Sequence, residues 1–409
     1  MLKLLNMSSP FIRKLSTTVT NNGNGKLPTI LDLREAMFKH VSTFADIEFD
    51  PNKSHPPSAS RTSCIIPLKS EPDFQIRYLN ASGHPRARFG LLLEDLDTFA
   101  VWLAFRHNQE LGKEMGKPAH HPMLIVTASV DKIEMKNKVI RHDLDIIMSG
   151  NITWVGKSSL EATMRLQQKY SENDLRDVLT AKFVMVSQDP KTWKSVRNTP
   201  LLLETEEDKE NFQRGELAKN IRIARESNSL LRTLPTNEEK GILHQLFLKT
   251  IKEGSHTFQR HLPPNHIWMQ DAKLKNSIIC FPVKQNLYGK IFGGFLMRFA
   301  FETAFANVAI ISKSRPHILE VDNIMFKNPV EVGSLLLLNS RVCYSTGNLM
   351  QTSVDCSVFD IKTGDAKITN TFQFTFEADE DGQVPIVIPR TYEDGILYLD
   401  GRRHAENRV

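Results

Sequence analysis

The sequence predicts an α+β chain made of two copies of one unit, each a long buried helix wrapped by a curved antiparallel sheet. A helical connector joins the copies. Three observations predict this. Val130-Asp131-Lys132-Ile133 returns as Val321-Asp322-Asn323-Ile324 at an offset of 191, and the same offset, without a gap, pairs Gly156 with Gly347, Thr180 with Thr371 and Phe183 with Phe374. A fixed offset held this long marks a duplicated unit. Each copy also carries a long apolar segment free of proline, and each follows it with strand-like stretches separated by turn signals.

The elements follow in chain order. Residues 1–25 hold Lys3, Arg13 and Lys14 with frequent Ser and Thr, and no acid precedes Asp32. That is the composition of a mitochondrial transit peptide. The first unit is expected over 62–188, opening with a β-like stretch at Ser63–Leu68. Phe89–His107 is rich in Leu, Ala and Phe and too long for a strand, so it is a helix. Residues 189–268 are the connector, highly charged, with Thr236-Asn237-Glu238-Glu239 as a capping box. The second unit, 269–381, repeats the plan with Ser277–Val283 and then Gly293–Ser312, apolar nearly all round and therefore buried on most sides. Tyr344–Asn348 and Asp360–Asp365 read as hairpin turns. Phe372, Phe374 and Phe376 alternate as on a half-buried strand. Residues 382–409 are left as a C-terminal tail. One buried helix followed by antiparallel strands is best packed by curling the sheet around the helix.

Composition narrows the function. The 409 residues are 40% hydrophobic and 24% charged, with net charge +5 from 52 Lys+Arg and 47 Asp+Glu. This spread charge lacks the basic stripe of a nucleic-acid binder but suits an anionic small ligand. No uninterrupted apolar run reaches the roughly 18 residues of a transmembrane helix. Four cysteines stand far apart, giving neither a disulfide framework nor a zinc site. His120-His121 and His256, His261 and His266 lack companion ligands at supporting spacing, so no metal is expected. No G-x-S-x-G elbow is present, which speaks against an α/β serine hydrolase.

The segment Asn286-Leu287-Tyr288-Gly289-Lys290-Ile291-Phe292-Gly293-Gly294 resembles the N-x-x-G-x-x-x-G-G signature of acyl-coenzyme A thioesterases with two hotdog domains. Val321-Asp322-x-Ile324-x-Phe326-x-x-Pro329-Val330 resembles that family's following strand, and Arg88-Phe89-Gly90 with Leu93-Glu94-Asp95-Leu96-Asp97 is similar to its mitochondrial branch. The resemblance spans roughly residues 60–380. It implies tandem hotdog domains, hydrolysis of fatty acyl-coenzyme A to free acid and coenzyme A without a cofactor, residence in the mitochondrial matrix, and a homo-oligomer, a trimer of double-hotdog chains among the options. It also implies that backbone N–H groups around Gly294 and Phe295 stabilise an oxyanion, with Gly90 and Gly293 flanking the substrate.

A base for water, or a nucleophilic carboxylate, is also required. Asp97 is one candidate: its helical neighbours Leu93, Ala100, Val101 and Ala104 are all apolar, and an acid on an apolar stripe needs a partner or a task. Its distance from Gly90 matches the place of the family's helix acid. Glu302 is the other, with Arg298 one turn before it as the alternative salt-bridge explanation. Glu94 and Asp95 read as ordinary first-turn acids. Asn286 either orients water or the carbonyl, or forms an Asx turn. Lys290, Lys313 and Arg315 are candidates for the coenzyme A phosphates. The chain has Lys290 where many members have a second Asn, and the first copy lacks the glycine pair. The two copies therefore suggest composite sites between the repeats, with both active or a single one as the alternatives. Rival readings are a non-catalytic acyl-coenzyme A sensor and a hotdog hydratase or dehydratase.

Overall fold

The computed structural model describes residues 27–41, 53–80, 86–108, 123–171, 173–252, 254, 256–286, 288–379 and 382–406. The expected transit segment 1–25 and His120-His121 lie outside them.

The first copy contains helices α1 (Ile30–Val41), α2 (Pro57–Ser60), α3 (Pro72–Tyr78) and α4 (Phe89–Asn108), with strand β1 (Thr62–Ile66) before α3. Strands β2 (Leu124–Met135), β3 (Ile146–Val155), β4 (Ser159–Lys169) and β5 (Leu175–Gln188) follow. Helices α5 (Glu206–Ser227) and α6 (Asn237–Leu248) come next. The second copy holds β6 (His266–Trp268), β7 (Lys273–Ile279), α7 (Gly293–Ser312), β8 (His317–Phe326), β9 (Leu335–Thr346), β10 (Leu349–Phe359) and β11 (Ala366–Glu377), with β12 (Ile386–Ile388) and α8 (Tyr392–Glu406) at the end.

Ten strands form one large antiparallel sheet, ordered β1-β3-β4-β5-β2-β8-β11-β10-β9-β7. Outward from the β2–β8 seam, the two halves have corresponding orders. The repeat survives to single residues. Thr127 pairs with Met185 and Ile318 with Phe376, each pair 191 apart from its counterpart, and each ladder then skips one residue, Ala128 or Leu319. A bulge kept at the same place in both copies twists both strands alike.

Helices α4 and α7 pack on their own halves of the sheet and on each other. Burial explains their composition: every residue of α4 except Arg106 is buried, so an uninterrupted apolar surface is required. Helix α7 is long and apolar enough to cross a membrane by length and composition, with mean hydropathy 1.4 although Arg298 and Glu302 interrupt the run. Here it is a core helix, ended by Lys313 in the left-handed conformation.

The connector does more than space the copies. Both its helices open on capping boxes, Thr205 with Asp208 and Thr236 with Glu239. Helix α5 then lies against β3, on the sheet face turned away from α4. A Cβ on Gly215 would fall 2.4 Å from the Trp154 Cβ, so only glycine permits this approach. The Trp154 indole N–H donates to Glu216 at 2.7 Å. Arg222 and Arg225 reach Asp131 and Asp322, one aspartate from each central strand. The expected tail is likewise structured: β12 pairs with β6, and α8 brings His404 to 2.9 Å from Asp322.

Because Gly215 seats α5 on Trp154, Gly215→Leu forces the helix off the sheet. Denaturant unfolding should show a loss of about 1–3 kcal/mol, the usual cost of overpacking; unchanged stability would mean that α5 is not held there.

Candidate active site

The site forms where the N-terminus of α7 meets the middle of α4. A Cβ on Gly294 would lie 2.8 Å from the Glu94 Cα, so this glycine allows two helix backbones to touch. The same approach delivers the Gly294 N–H to the Asp97 Oδ2 at 2.6 Å. The Thr127 hydroxyl of β2 donates to the other oxygen of Asp97. Asp97 is 1% exposed. Burial pushes its carboxyl up to about 6, opposed by the hydrogen bonds from Thr127 and Gly294. It is therefore largely a carboxylate at neutral pH, close to its protonation midpoint, as a general base should be.

The loop before α7 supplies more polar groups. Asn286 Oδ1 accepts from the N–H groups of Tyr288 (2.9 Å) and Lys290 (3.1 Å), and Gly289 takes φ of 74° in this turn. The Asx-turn alternative is therefore realised, and it fixes the amide orientation; Nδ2 has no partner among the described residues. The Ile125 N–H donates to the Tyr288 hydroxyl at 3.1 Å, and nothing described accepts that hydroxyl's own hydrogen. Burial raises the Tyr288 pKa, so the hydrogen is retained. Asp97, Thr127, Asn286, Tyr288 and Gly293 line a cavity of about 440 Å³, with Met37, Val101 and Leu296 as apolar wall and Lys284, Lys290, Lys327 and Trp193 also lining it.

The amides expected to hold an oxyanion are engaged: Gly294 on Asp97, and Phe295 on the Phe292 carbonyl at 3.1 Å. Among the described residues the Gly293 N–H, at the first position of α7, has no acceptor. Gly293 also sits close enough to Asp97 that a Cβ there would lie 3.1 Å from Oδ2.

Other expected positions fall elsewhere. Gly90 faces Arg298 and Glu302, not the cavity. Glu302 is bonded to Arg298 (3.0 Å) and Arg88 (2.9 Å), the salt-bridge alternative in place. Lys313 and Arg315 follow the far end of the 20-residue α7, roughly 30 Å from Gly293 at the helical rise, and neither lines the cavity. Lys290 does line the cavity and pairs with Glu331. Glu94 and Asp95 are not solvated first-turn acids. Both are buried; Glu94 binds Arg298 at 3.1 Å, and Asp95 accepts from the Tyr78 hydroxyl. Sequence reasoning missed Thr127, Tyr288 and Trp193. For Thr127 a signal existed: its counterpart at the repeat offset is the apolar Ile318.

The chain is 43% identical over 359 residues to acyl-coenzyme A thioesterase 9, mitochondrial, of Bos taurus, covering 87% of this chain and 80% of that protein. It belongs to the acyl-coenzyme A thioesterase family. Acyl-coenzyme A thioesterase 10, mitochondrial, of Mus musculus is 41% identical over 86% of this chain and 79% of its own. A plant relative, acyl-coenzyme A thioesterase 4, mitochondrial, of Humulus lupulus, is 37% identical over 86% of this chain and 67% of its own. Among solved structures, an acyl-CoA hydrolase of Staphylococcus aureus is 23% identical over 35% of this chain and 90% of its own, with TM-score 0.34. No protein-family model matches.

Within this thioesterase the repeat does not reproduce the site. Where Asp97 stands in the first copy, the second has Phe301, packed edge-on against Phe89 at 5.0 Å between centroids; Thr127 is replaced by buried Ile318. An Arg88–Glu302–Arg298 ion network occupies that end of the helix pair and runs on to Glu94, which also lines the cavity.

Thr127 stabilises the charged form of Asp97, so Thr127→Val should raise the Asp97 midpoint above about 6, by about one to two pH units for a charged hydrogen bond. An infrared titration of the carboxylate band checks this, and an unmoved midpoint would refute the role.

Proposed function

We propose that this chain hydrolyses fatty acyl-coenzyme A thioesters to free fatty acid and coenzyme A in mitochondria, at one composite site per chain. The observation carrying this reading is the buried Asp97 carboxylate of the first copy, set against the first turn of α7 from the second. The relatives at about 40% identity, named mitochondrial acyl-coenzyme A thioesterases, support the substrate and compartment. The basic, acid-free segment 1–25 supports the matrix in particular.

The chemistry follows from the groups present. A thioester carbonyl seated at the α7 N-terminus places its oxygen on the Gly293 N–H, and the helix dipole stabilises the negative charge that develops. Asp97 takes a proton from water as the water oxygen attacks the carbonyl carbon. The tetrahedral intermediate collapses by breaking the C–S bond, and the thiolate leaves with the proton that Asp97 received. The free Nδ2 of Asn286 and the Tyr288 hydroxyl supply further donors for water or carbonyl. Lys290 and Lys327 are the cations for the coenzyme A phosphates. Glu302 is assigned to the ion network that seals the other helix crossing.

In this reading residues 62–188 and 269–381 are tandem hotdog domains, 189–268 is the connector and 382–409 a C-terminal extension whose described part, 382–406, docks on the second domain. The matched strand orders support it. Assembly into a homo-oligomer is supported by exposed apolar side chains on and after the connector helices, among them Leu231 and Phe258, each 88% exposed; a trimer of double-hotdog chains is the form that the family resemblance implies.

A thiol-release assay tests the site. Asp97→Asn should lower kcat about 10²- to 10⁴-fold, whereas Glu302→Gln should stay within a few-fold of the unaltered chain. Retained turnover in Asp97→Asn would discard the assignment, and no release from any acyl chain length would discard the function.

Hydrolysis should also fall as the pH drops through the Asp97 midpoint of about 6, because only the carboxylate accepts a proton. A kcat/KM profile flat from pH 5 to about pH 8 would contradict this.

A further inference from the structure

Trp193 lies in the turn after β5 and lines the same cavity as Asp97. Its φ is 58°, a left-handed backbone that is uncommon for a bulky residue and persists only where surrounding bonds impose it. Those bonds are present. Asp189 Oδ1 accepts from the N–H groups of Lys191 (2.8 Å) and Thr192 (2.7 Å) and from the Thr192 hydroxyl (3.1 Å). The Trp193 N–H donates to the Asp189 carbonyl at 2.9 Å, and the Asp189 N–H to the Lys194 carbonyl at 2.8 Å.

The braced turn leaves the indole 47% exposed, whereas Trp102 and Trp154 are buried. Nothing described accepts the Trp193 indole N–H. Lys290 Nζ lies 5.7 Å from the ring centroid, and Lys327 lines the same cavity. A large flat ring is thus held open near the Lys290 cation, on the wall of a pocket that Lys327 also lines and whose apolar lining includes Met37, Val101 and Leu296.

We propose that Trp193 is the platform on which the adenine base of coenzyme A stacks, a role that rests on the thioesterase reading and deepens it. A purine offers the matching flat face, and base–aromatic stacking contributes substantially to binding. In coenzyme A the phosphates lie between the base and the pantetheine arm and on the ribose, so Lys290 near the ring and Lys327 on the same cavity complement that end of the molecule. The acyl chain has the apolar wall instead. The imposed backbone holds the ring before the ligand arrives, so little ordering remains to be done on binding.

The test compares acyl-coenzyme A with the matching acyl-pantetheine, which has the same thioester but no nucleotide. Trp193→Gly removes the ring and accepts the left-handed backbone. It should raise KM for acyl-coenzyme A about tenfold, leave kcat within about twofold, and leave KM for acyl-pantetheine unchanged; Trp193→Phe should restore most of the loss. An equal rise for both substrates, or no rise for either, overturns the platform. Should the unaltered chain hydrolyse neither thioester, the thioesterase reading fails by itself. The platform is then judged by tryptophan fluorescence: free coenzyme A, but not pantetheine, should quench the unaltered chain, and Trp193→Gly should abolish that quenching. Quenching that persists, or that never occurs, overturns it.

Discussion

The antiparallel pairing of β2 with β8 governs this molecule. Each copy buries its long helix against its own half of the sheet, but the halves are one sheet only because these equivalent strands bond to each other. Pairing equivalent strands antiparallel relates the copies by an approximate two-fold. It lays α4 against α7, so the N-terminus of each helix meets the middle of the other. The seam carries charge on its outer side, and the chain covers that charge: Asp131 and Asp322 are held by Arg222 and Arg225 of α5 and by His404 of α8. Buried aspartates are costly without such partners, so connector and C-terminal helix are parts of the seam.

Two helix crossings follow from the approximate symmetry, and their chemistry differs. At one, Gly294 lets the backbones touch and gives its N–H to Asp97. At the other, Gly90 stands beside Arg298 and Glu302, and Phe301 fills the place equivalent to Asp97. At the second crossing Glu302 is paired with Arg298 and Arg88, and Arg298 also reaches Glu94 beside Gly294. A crossing whose acids are paired with guanidinium groups is a structural joint. The first keeps an acid whose hydrogen-bond partners among the described residues are a hydroxyl and an amide, beside an open cavity. Duplication thus leaves one crossing free to serve as a joint while the other carries the proposed chemistry.

The fold was legible because it is written in local patterns. The repeat offset, the two proline-free apolar segments and the Gly347 and Gly364 turns all exist in linear order, and each became the expected element. Asp97 was legible for a related reason, since an acid on an apolar stripe stands out without coordinates. What failed to show depends on approach between distant segments. Glu94 looks like a solvated first-turn acid until α7 brings Arg298 to it, a separation of 204 residues. Lys313 looks near the signature glycines only if the length of α7 is ignored. Trp193 carries no pattern at all: its position depends on a left-handed turn that its own sequence does not favour.

The state of Asp97 follows from a balance of opposing effects. Burial alone would protonate the acid, while the Thr127 and Gly294 bonds and the positive charge of Arg34 favour the anion, and Glu94 favours the acid. Among the described residues the anion receives one hydroxyl and one amide, and the outcome near 6 depends on that balance. A guanidinium partner, such as Arg298 gives Glu302, would hold the carboxylate firmly charged and make it a poor proton acceptor. No partner at all would leave it neutral in the apolar core. The same Gly294 amide that sets this balance also occupies one place where an oxyanion could be bound, which leaves Gly293 as the donor of the first turn still open. In the proposed reaction the two consecutive glycines therefore serve different ends: Gly294 lets α7 touch α4 and hold Asp97, and Gly293 leaves its N–H open to the carbonyl.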